Sequence, residues 1–199
     1  LSQGFGISAS KFRIIPLSYN VNPESFGNER EPFCLHISLL CDARKNVKRL
    51  IDASVKYNFK LVLGGILRNE QEKKLLDSWI RDKPNVTYMG YISYDTMLDL
   101  YKRAKVFALP SIYEGVGIVA LDAAVMGCDI VITRLGGPKE YYNNMAVEVD
   151  PYSIDEIGLA VSQLMQGQTF QPDLRKYILE NYSLKNISEQ LEMAFSIVL

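Results

Sequence analysis

Residues 111–127, SIYEGVGIVALDAAVMG, combine acids and glycines in a pattern that could bind a phosphorylated ligand. A helix is predicted from about Gly117, with Glu114 before it and Asp122 one to two turns inside it. A helix start has free backbone N–H groups and a partial positive charge, which both suit a phosphate. Gly115 and Gly117 let the backbone approach a ligand without an intervening Cβ. At ~1.5 Å per residue the two acids are roughly 10 Å apart, comparable to the two ends of a nucleotide-sugar.

Glu114 and Asp122 also have a plainer interpretation, as a helix-terminal acid favoured by the dipole and a solvated surface residue. Asp122, however, lies within the apolar run VALDAAVM, where an unpaired carboxylate is costly. The sequence therefore favours a functional role for this pair of acids.

Other predicted loops contain residues that could also contact a phosphorylated ligand. Arg44 and Lys45 follow the first predicted strand and could neutralise a leaving diphosphate, although adjacent loop cations are often only surface residues. Glu140 is either a first-turn acid of a helix or a ligand contact. Double glycines, which allow close backbone approach or form plain turns, end two further apolar runs: Gly64-Gly65 and Gly136-Gly137-Pro138.

The elements that must position these residues alternate between apolar, strand-like runs and amphipathic, helix-like stretches from residue 33 onward. This pattern predicts an α/β fold, a Rossmann-like parallel sheet with helices on both faces and a helical C-terminal tail. Ligands bind beyond the carboxyl ends of parallel strands, so the loops there should share one edge. The predicted strands are 33–40, 59–65, 85–92, 105–111, 128–137 and 145–151, and the loops are 42–46, 64–68, 90–92, 111–117 and 133–140.

The chain divides into a predicted linker, residues 1–32, and a predicted ligand-binding domain, residues 33–199. The linker contains one strand-like piece, RIIPL at 13–17. After residue 151 we expect one helix capped by Ser153 and Glu156, and a second near Ser183, with Pro172 between them. The segment Gly4–Ala9 resembles a dinucleotide fingerprint but follows no strand, so it is set aside.

The composition and charge of the chain limit the classes of function that it could have. The 199-residue chain is 48% hydrophobic and 23% charged, with a formal net charge of −1, which is typical of a soluble globular protein. No block of like charge indicates nucleic acid, and no apolar run approaches the ~20 residues of a membrane span. Cys34 and Cys128 are expected to be buried thiols of a reducing, cytoplasmic compartment. His36, the single histidine, is expected to be a core residue and not a catalytic or metal-binding one.

Several segments follow one another in the order and spacing of a known family: KNVKRLIDA, KLVLGG, NVTYMGYI, LYKRAKVFALPSIYEGVGIVALDAAVMGCDIVIT, LGGPKEYY and AVEVDP. They resemble the C-terminal, donor-binding domain of the group-1 family of retaining nucleotide-sugar glycosyltransferases, which have the two-domain GT-B fold. The resemblance runs from about residue 11 to the C-terminus, and PSIYEGVGIVALDAAVMG is its most specific part.

The resemblance implies a role for each matching residue. Glu114, the catalytic residue, would contact donor-sugar hydroxyls, and Asp122 would hold the ribose hydroxyls. Lys45, assisted by Arg44, would bind the donor phosphates. The family needs no metal or cofactor besides its UDP- or GDP-sugar donor, because cations and the helix start stabilise the leaving diphosphate. The other expected donor-binding positions are Gly64 and Gly65, Tyr91 and Ile92 at the base, and the backbone of Gly115, Val116, Gly117 and Ile118 at the sugar and diphosphate.

This chain departs from the family pattern at two positions. The family usually has Glu at position 122 and Arg at the position of Leu39, which Arg44 could replace. The sequence lacks the family's N-terminal acceptor domain, so we expect this chain to bind donor without transferring sugar by itself.

The resemblance favours sugar transfer with retention, in bacterial surface polysaccharide assembly at the cytoplasmic face of a membrane. The full-length protein could associate peripherally with that membrane, and no nucleic acid partner is expected. Two alternatives stay open. One is a non-catalytic module that binds a nucleotide or nucleotide-sugar, which Asp122 and Leu39 favour. The other is a dinucleotide-dependent oxidoreductase domain, against which the missing fingerprint after the first strand argues.

Overall fold

Six parallel strands form the sheet around which the chain is built. The computed structural model describes residues 12–26 and 29–196, together with Gly6 and Ser8. The strands are β1 Glu31–Ile37, β2 Lys60–Gly64, β3 Val86–Tyr88, β4 Ala104–Leu109, β5 Asp129–Thr133 and β6 Val147–Val149. Their order across the sheet is β3-β2-β1-β4-β5-β6. Strands β2 and β3 are added on one side of β1 and strands β4 to β6 on the other, so the strand order reverses between β1 and β4. The predicted parallel sheet is confirmed.

The strands form where the sequence has short, nearly continuous apolar runs. All residues of β5 are buried, and so is every residue of β2 except Lys60. Burial of both faces is typical of a parallel sheet covered by helices on each side. In the central strand, Leu35 is paired with Val62 on one side and with Phe107 on the other.

Helices cover both faces of the sheet, as the α/β pattern predicts. Helices α1, α2 and α5 form one layer, in which Leu50 and Ile157 are buried, and α3, α4 and α6 form the other, in which Leu121 and Ile178 are buried. The helices are α1 Val47–Lys56, α2 Glu70–Ile80, α3 Tyr94–Arg103, α4 Ile118–Val125, α5 Ile154–Met165, α6 Asp173–Asn181 and α7 Leu184–Ser196, with 3-10 helices at Pro23–Ser25, Ala43–Lys45 and Pro138–Tyr141.

The helical C-terminal tail contains one helix more than the sequence predicts. Ser153 caps α5 as expected, because its Oγ accepts the Glu156 N–H at 3.1 Å. Pro172 does not simply separate two helices but is the N-cap residue of α6. Proline has no N–H group and a backbone angle suited to helices, so it is well tolerated at a helix start.

The linker forms no strand at RIIPL, since residues 12–20 have no regular secondary structure and lie outside the sheet. Pro16 cannot donate to a strand partner, and the Leu17 N–H donates to the Tyr141 hydroxyl at 3.1 Å instead. Of the segment Gly4–Ala9, only Gly6 and Ser8 lie among the described residues, so the fingerprint-like pattern remains outside the described structure.

Helix α7 lies at the surface. It contains no buried residue and exposes the apolar side chains of Leu184, Met193 and Phe195. Among the helices of residues 12–26 and 29–196, none combines the length and apolar character required to traverse a bilayer.

Candidate functional site

Lys45 and Glu114 form an ion pair at the carboxyl edge of the sheet, with Nζ 2.6 Å from Oε2. Lys45 follows β1 and Glu114 follows β4, so side chains 69 residues apart meet where the strand order reverses. The two side chains are only 23% and 15% exposed. In open α/β sheets this reversal point is where ligands bind, so the pair marks the candidate site.

A capped turn holds Lys45 beside the loop of Glu114. Asp42 caps the 3-10 helix Ala43–Lys45, because its Oδ1 accepts the Arg44 N–H at 3.0 Å. The Arg44 carbonyl in turn accepts the Ile112 N–H at 2.8 Å, which joins the loop after β1 to the loop after β4. Lys45 and Glu114 are therefore brought together by backbone contacts and not by their charges alone.

Asn46 is a positioning residue that sequence reasoning missed. Its backbone is left-handed, with φ 59°, and it is only 6% exposed. Its Nδ2 donates to the carbonyls of Pro110 at 2.9 Å and Pro151 at 2.6 Å, which follow β4 and β6. One amide thus joins the ends of three strands. The sequence does contain a signal for this role, because Asn46 lies between Lys45 and the start of α1 and asparagine tolerates a left-handed backbone.

Glu114 is held by its own loop and by the next one. The buried Ser111 hydroxyl donates to Glu114 Oε2 at 3.2 Å. The backbone of Glu114 forms an isolated parallel bridge with Gly136, whose φ is +93°. A Cβ on Gly136 would lie 2.2 Å from the Glu114 carbonyl oxygen, so only glycine fits there. The Gly136-Gly137 pair therefore serves a close approach between two loops.

A pocket of about 300 Å³ opens beside this ion pair at the start of α4. Gly117, with φ 73°, begins that helix, and its carbonyl accepts the amides of Ala120 and Leu121. The amides of Ile118 and Val119, the first two residues of the helix, are the unpaired N–H groups expected at any helix start. The pocket is lined by Leu17, Val116, Gly117, Ile118 and Val119 together with Lys45 and Glu114.

Gly115 borders open space, unlike the other glycines of these loops. A Cβ added to Gly115 would meet nothing within 4 Å, whereas one on Gly137 would lie 2.8 Å from the Gly115 carbonyl. The packing of the protein therefore does not require glycine at position 115. The open space leaves room for a ligand beside this backbone, and the predicted donor contact of Gly115 stays a prediction.

Asp122 lies within α4 and is 5% exposed. Its Oδ1 accepts the Asn20 N–H at 2.6 Å. Burial raises the pKa of this carboxyl to about 6, although the Asn20 and Val21 amides act in the opposite direction. The side chain is not the solvated surface residue of the plainer interpretation, and its partner is the backbone of the linker. The contact of Asp122 with ribose hydroxyls stays a prediction.

Arg44 turns away from its neighbour Lys45. Its guanidinium is paired with Asp42 at 2.8 Å, and its side chain is 67% exposed. Hydrogen bonds from the Arg44 side chain and backbone lower the pKa of Asp42 to about 2. The predicted role of Arg44 at the donor phosphates is untested, and the structure brings only Lys45 of the two cations to Glu114.

An apolar cleft of about 240 Å³ follows β1 and β2 along the same edge. Tyr91 and Ile92, the predicted base-binding residues, line it together with Gly65 and Leu39. Tyr91 is 76% exposed, so its ring is available to a flat ligand. A Cβ on Gly64 would lie 2.7 Å from Ile92 Cδ1, so a larger residue at position 64 would displace the end of the Ile92 side chain.

His36 is a satisfied core residue, as predicted. It is fully buried, with Nδ1 2.7 Å from the Ala108 carbonyl oxygen and Nε2 2.7 Å from Ser38 Oγ. Burial lowers its pKa to about 4. Cys34 and Cys128 are buried free thiols, also as predicted. Within the described part of the chain, no three His, Cys, Asp or Glu side chains are grouped to hold a metal ion.

Replacing Asn46 with Ala should destabilise the protein by about 2–4 kcal/mol, because two buried carbonyls lose their donor. Asn58→Ala is the matched control, since Asn58 has the same left-handed backbone, with φ 51°. The control should cost only the backbone strain, roughly 1–2 kcal/mol. Urea unfolding of both variants measures the difference, and equal losses would show that the carbonyl contacts of Asn46 contribute nothing.

Asp122 should make stability fall as the pH rises. Its raised pKa means that the folded state keeps the proton more tightly than the unfolded state, so the cost is absent below about pH 4. The cost grows between pH 4 and pH 6 and reaches about 3 kcal/mol above pH 6. Asp122→Asn cannot ionise and avoids it. Between pH 4 and pH 7, the free energy of unfolding of the wild type should fall by this amount relative to the variant, and a constant difference would contradict the assignment.

Comparison with known proteins identifies the family. Residues 22–182 match the family described as glycosyl transferases group 1. An uncharacterized glycosyltransferase of Methanocaldococcus jannaschii is 30% identical over 168 residues, which cover 78% of this chain and 43% of that protein. O-antigen chain mannosyltransferase B of Escherichia coli is 26% identical over 152 residues, which cover 70% of this chain and 38% of that protein.

A solved structure has the same fold. Sucrose-phosphate synthase from Thermosynechococcus elongatus superposes with a TM-score of 0.81 at 20% identity, over 94% of this chain and 52% of that chain. The chain spans less than half the length of the two curated relatives. The match over residues 22–182 and the 30% identical relative together show that this chain belongs to the group-1 glycosyltransferase family.

Proposed function

We propose that this chain is the donor-binding domain of a glycosyltransferase that transfers a sugar from a UDP- or GDP-sugar. The observation that carries the proposal is the Lys45–Glu114 pair beside the start of α4. The pocket combines a cation, unpaired helix amides and a carboxylate within one small volume. A nucleotide-sugar needs this combination, since its diphosphate is anionic and its sugar is a cluster of hydroxyls.

The diphosphate is assigned to Lys45 and the first amides of α4. Ile118 and Val119 line the pocket at the positive end of the helix dipole, and the first turn of α4 contains no acidic residue. A diphosphate would compete with Glu114 for the Lys45 ammonium. After the sugar is transferred, the leaving diphosphate would stay paired with Lys45. Charge stabilisation from these groups is what a metal ion would otherwise supply, which supports metal-independent chemistry.

The donor sugar is assigned to Glu114. An ionised carboxylate accepts hydrogen bonds only, so it suits sugar hydroxyls and disfavours phosphate oxygens. Ser111 and the Gly136 contact restrict the Glu114 loop, which keeps the carboxylate in place while Lys45 changes partner. The base is assigned to the apolar cleft at Tyr91 and Ile92, where stacking on an exposed ring adds affinity.

Transfer requires an acceptor and, by likeness to two-domain relatives, a second domain over this edge. The acceptor oxygen would bond to the anomeric carbon on the face from which the diphosphate oxygen leaves, and the leaving phosphate would take the acceptor proton. The anomeric configuration is then retained. The name of the Escherichia coli relative, an O-antigen chain mannosyltransferase, supports polysaccharide assembly as the setting. Its location at the cytoplasmic face of a membrane is part of the proposal and rests on the resemblance alone.

A module that binds the donor without transferring sugar is the second candidate. Leu39 is an exposed apolar residue where the family pattern has arginine, and Asp122 is already occupied by the linker backbone. Leu39 supplies no charge to a leaving diphosphate, and the occupied Asp122 carboxylate would hold ribose hydroxyls less well, whereas the cleft at Tyr91 and Ile92 remains for a base. The oxidoreductase alternative is disfavoured by the family membership.

Two substitutions separate the phosphate role from the sugar role. Lys45→Met should weaken binding of UDP or GDP and of the matching nucleotide-sugar alike, by about tenfold or more. Glu114→Gln should keep or raise nucleotide affinity, because it removes the carboxylate that competes for Lys45, and should remove the additional affinity of the nucleotide-sugar. Calorimetric titration measures both, with Lys48→Met as the control, because Lys48 is an exposed α1 cation paired with Asp52.

The wild-type result decides the proposal. Absence of binding to UDP, GDP and their sugars would overturn it. In the full-length protein, Glu114→Gln should lower turnover at least about a hundredfold, and NMR of the product anomeric centre reports retention. Donor binding with no turnover by the full-length wild type would favour the non-catalytic module.

A pair of glycine substitutions tests whether a ligand uses the open space at Gly115. Gly115→Ala should keep wild-type stability, because its Cβ meets nothing within 4 Å, yet lose nucleotide-sugar affinity. Gly136→Ala should destabilise the fold, because its Cβ would clash with the Glu114 carbonyl. Thermal unfolding and titration of both variants measure this, and full affinity in Gly115→Ala would remove that backbone from the binding site.

A further inference from the structure

A second and larger cavity adjoins the apolar cleft that is assigned to the base. Its volume is about 620 Å³, and it lies between the loop after β2 and the first turn of α2. Gly65, Ile66 and Tyr91 line both the cleft and this cavity. A base that stacks on the exposed Tyr91 ring can therefore extend from the cleft into the larger cavity.

Hydrogen bonds within the protein hold the wall that the two cavities share. The Gly65 N–H donates to the Gly90 carbonyl at 3.1 Å, and the Tyr88 hydroxyl donates to the Gly65 carbonyl at 3.3 Å. Both contacts join the loop after β2 to β3 and the loop that follows it. The wall beside Tyr91 is therefore formed by the fold itself and needs no ligand to assemble it.

The Arg68 guanidinium, which lines the larger cavity, is fixed on one side by Glu72. Arg68 Nε donates to Glu72 Oε1 at 2.6 Å, and Arg68 Nη2 lies 2.5 Å from the same oxygen. The other oxygen, Oε2, accepts the backbone N–H of Arg68 at 2.7 Å. One carboxylate, whose side chain is only 12% exposed, thus holds both the backbone and the side chain of Arg68.

The end of the Arg68 guanidinium stays available to a ligand. Glu72 occupies the side formed by Nε and Nη2, so the N–H groups at the end formed by Nη1 and Nη2 point away from it. Within residues 12–26 and 29–196, no group accepts a hydrogen bond from Nη1, and the side chain is 56% exposed. Two parallel donors of this kind match a ligand edge that has two adjacent acceptors.

Guanine is the common base whose edge has two adjacent acceptors, O6 and N7. Adenine places its N6 amino donor beside N7, and uracil has O4 as the single acceptor of the corresponding edge. Guanine is also bicyclic, so it reaches further from the Tyr91 ring into the larger cavity than uracil does. Both the hydrogen-bonding pattern and the size of the site favour guanine.

We propose that the donor of this protein is a GDP-sugar, with guanine stacked on Tyr91 and its O6 and N7 bound by the end of the Arg68 guanidinium. This inference rests on the proposed function, because it chooses between the two nucleotides named there. Arg68 is then the residue that determines base specificity, while the diphosphate and the sugar keep the partners already assigned to them.

Titration of the wild-type protein with GDP, UDP, ADP and 7-deaza-GDP tests the choice of base. GDP should bind about tenfold or more tightly than UDP or ADP, because it alone fills both donors of the guanidinium end. In 7-deaza-GDP a C–H replaces N7, so its affinity should fall about fivefold below that of GDP. Equal or tighter binding of UDP, or unchanged binding of 7-deaza-GDP, would overturn the inference and leave the proposed function intact.

Two substitutions of Arg68 test the residue. Arg68→Lys keeps the positive charge without the paired donors, and Arg68→Met removes both. Each should lower GDP affinity about tenfold and leave UDP affinity unchanged. The matched control is Arg103→Met, since Arg103 also pairs with an acid four residues away, Asp99, but begins no loop at this edge and precedes β4. The control should bind GDP like the wild type.

The pattern of losses separates base recognition from other roles of the Arg68 charge. Equal losses of GDP and UDP affinity in Arg68→Met, or wild-type GDP affinity in both Arg68 variants, would overturn the inference. A wild type that binds none of the four nucleotides would overturn the proposed function as well. Binding of UDP in preference to GDP would overturn the choice of guanine alone.

Discussion

Parallel pairing of β1 with β4 determines where the candidate site lies, because it sets the loops that follow the two strands side by side. Lys45 comes from one loop and Glu114 from the other, and a single backbone hydrogen bond joins the loops between Arg44 and Ile112. Asn46 extends the arrangement to the end of β6. The ion pair is thus built on the ends of β1 and β4, and a change in the pairing of these two strands would separate its members.

The sequence predicts those parts of the molecule whose information is local. Strand-length apolar runs gave the correct sheet, and the glycine before an apolar helix located the start of α4. Lys45 and Glu114 could be assigned to one edge because parallel strands bring their carboxyl ends together. The apolar neighbours of Asp122 argued against a solvated surface residue, and the side chain is indeed buried. They contain no information about which backbone, 102 residues away, donates to the carboxylate.

The sequence did not predict features in which two partners or two conformations compete for the same group. Adjacent cations are alike in sequence, yet Asp42 attracts Arg44 while Lys45 is left to Glu114. RIIPL has a strand-like composition, but the sheet offers it no place, and the Tyr141 hydroxyl takes an N–H that a strand would have used. Helix α6 begins at Pro172, which the sequence pattern treats as a break. For Lys45 and for Leu17, a partner distant in sequence selected between two locally acceptable states.

The buried His36 has a consequence for the apolar cleft beside the site. Its Nδ1 faces the Ala108 carbonyl, so the ring proton lies on Nδ1, and the uncharged Nε2 must accept the proton of the Ser38 hydroxyl. Ser38 lines the cleft, and with its only proton engaged its oxygen retains lone pairs alone. At this point the cleft can therefore accept a hydrogen bond from an N–H or O–H of a ligand but cannot donate one to an acceptor oxygen. A fully buried ring thus sets the hydrogen-bonding character of a cleft that it does not line.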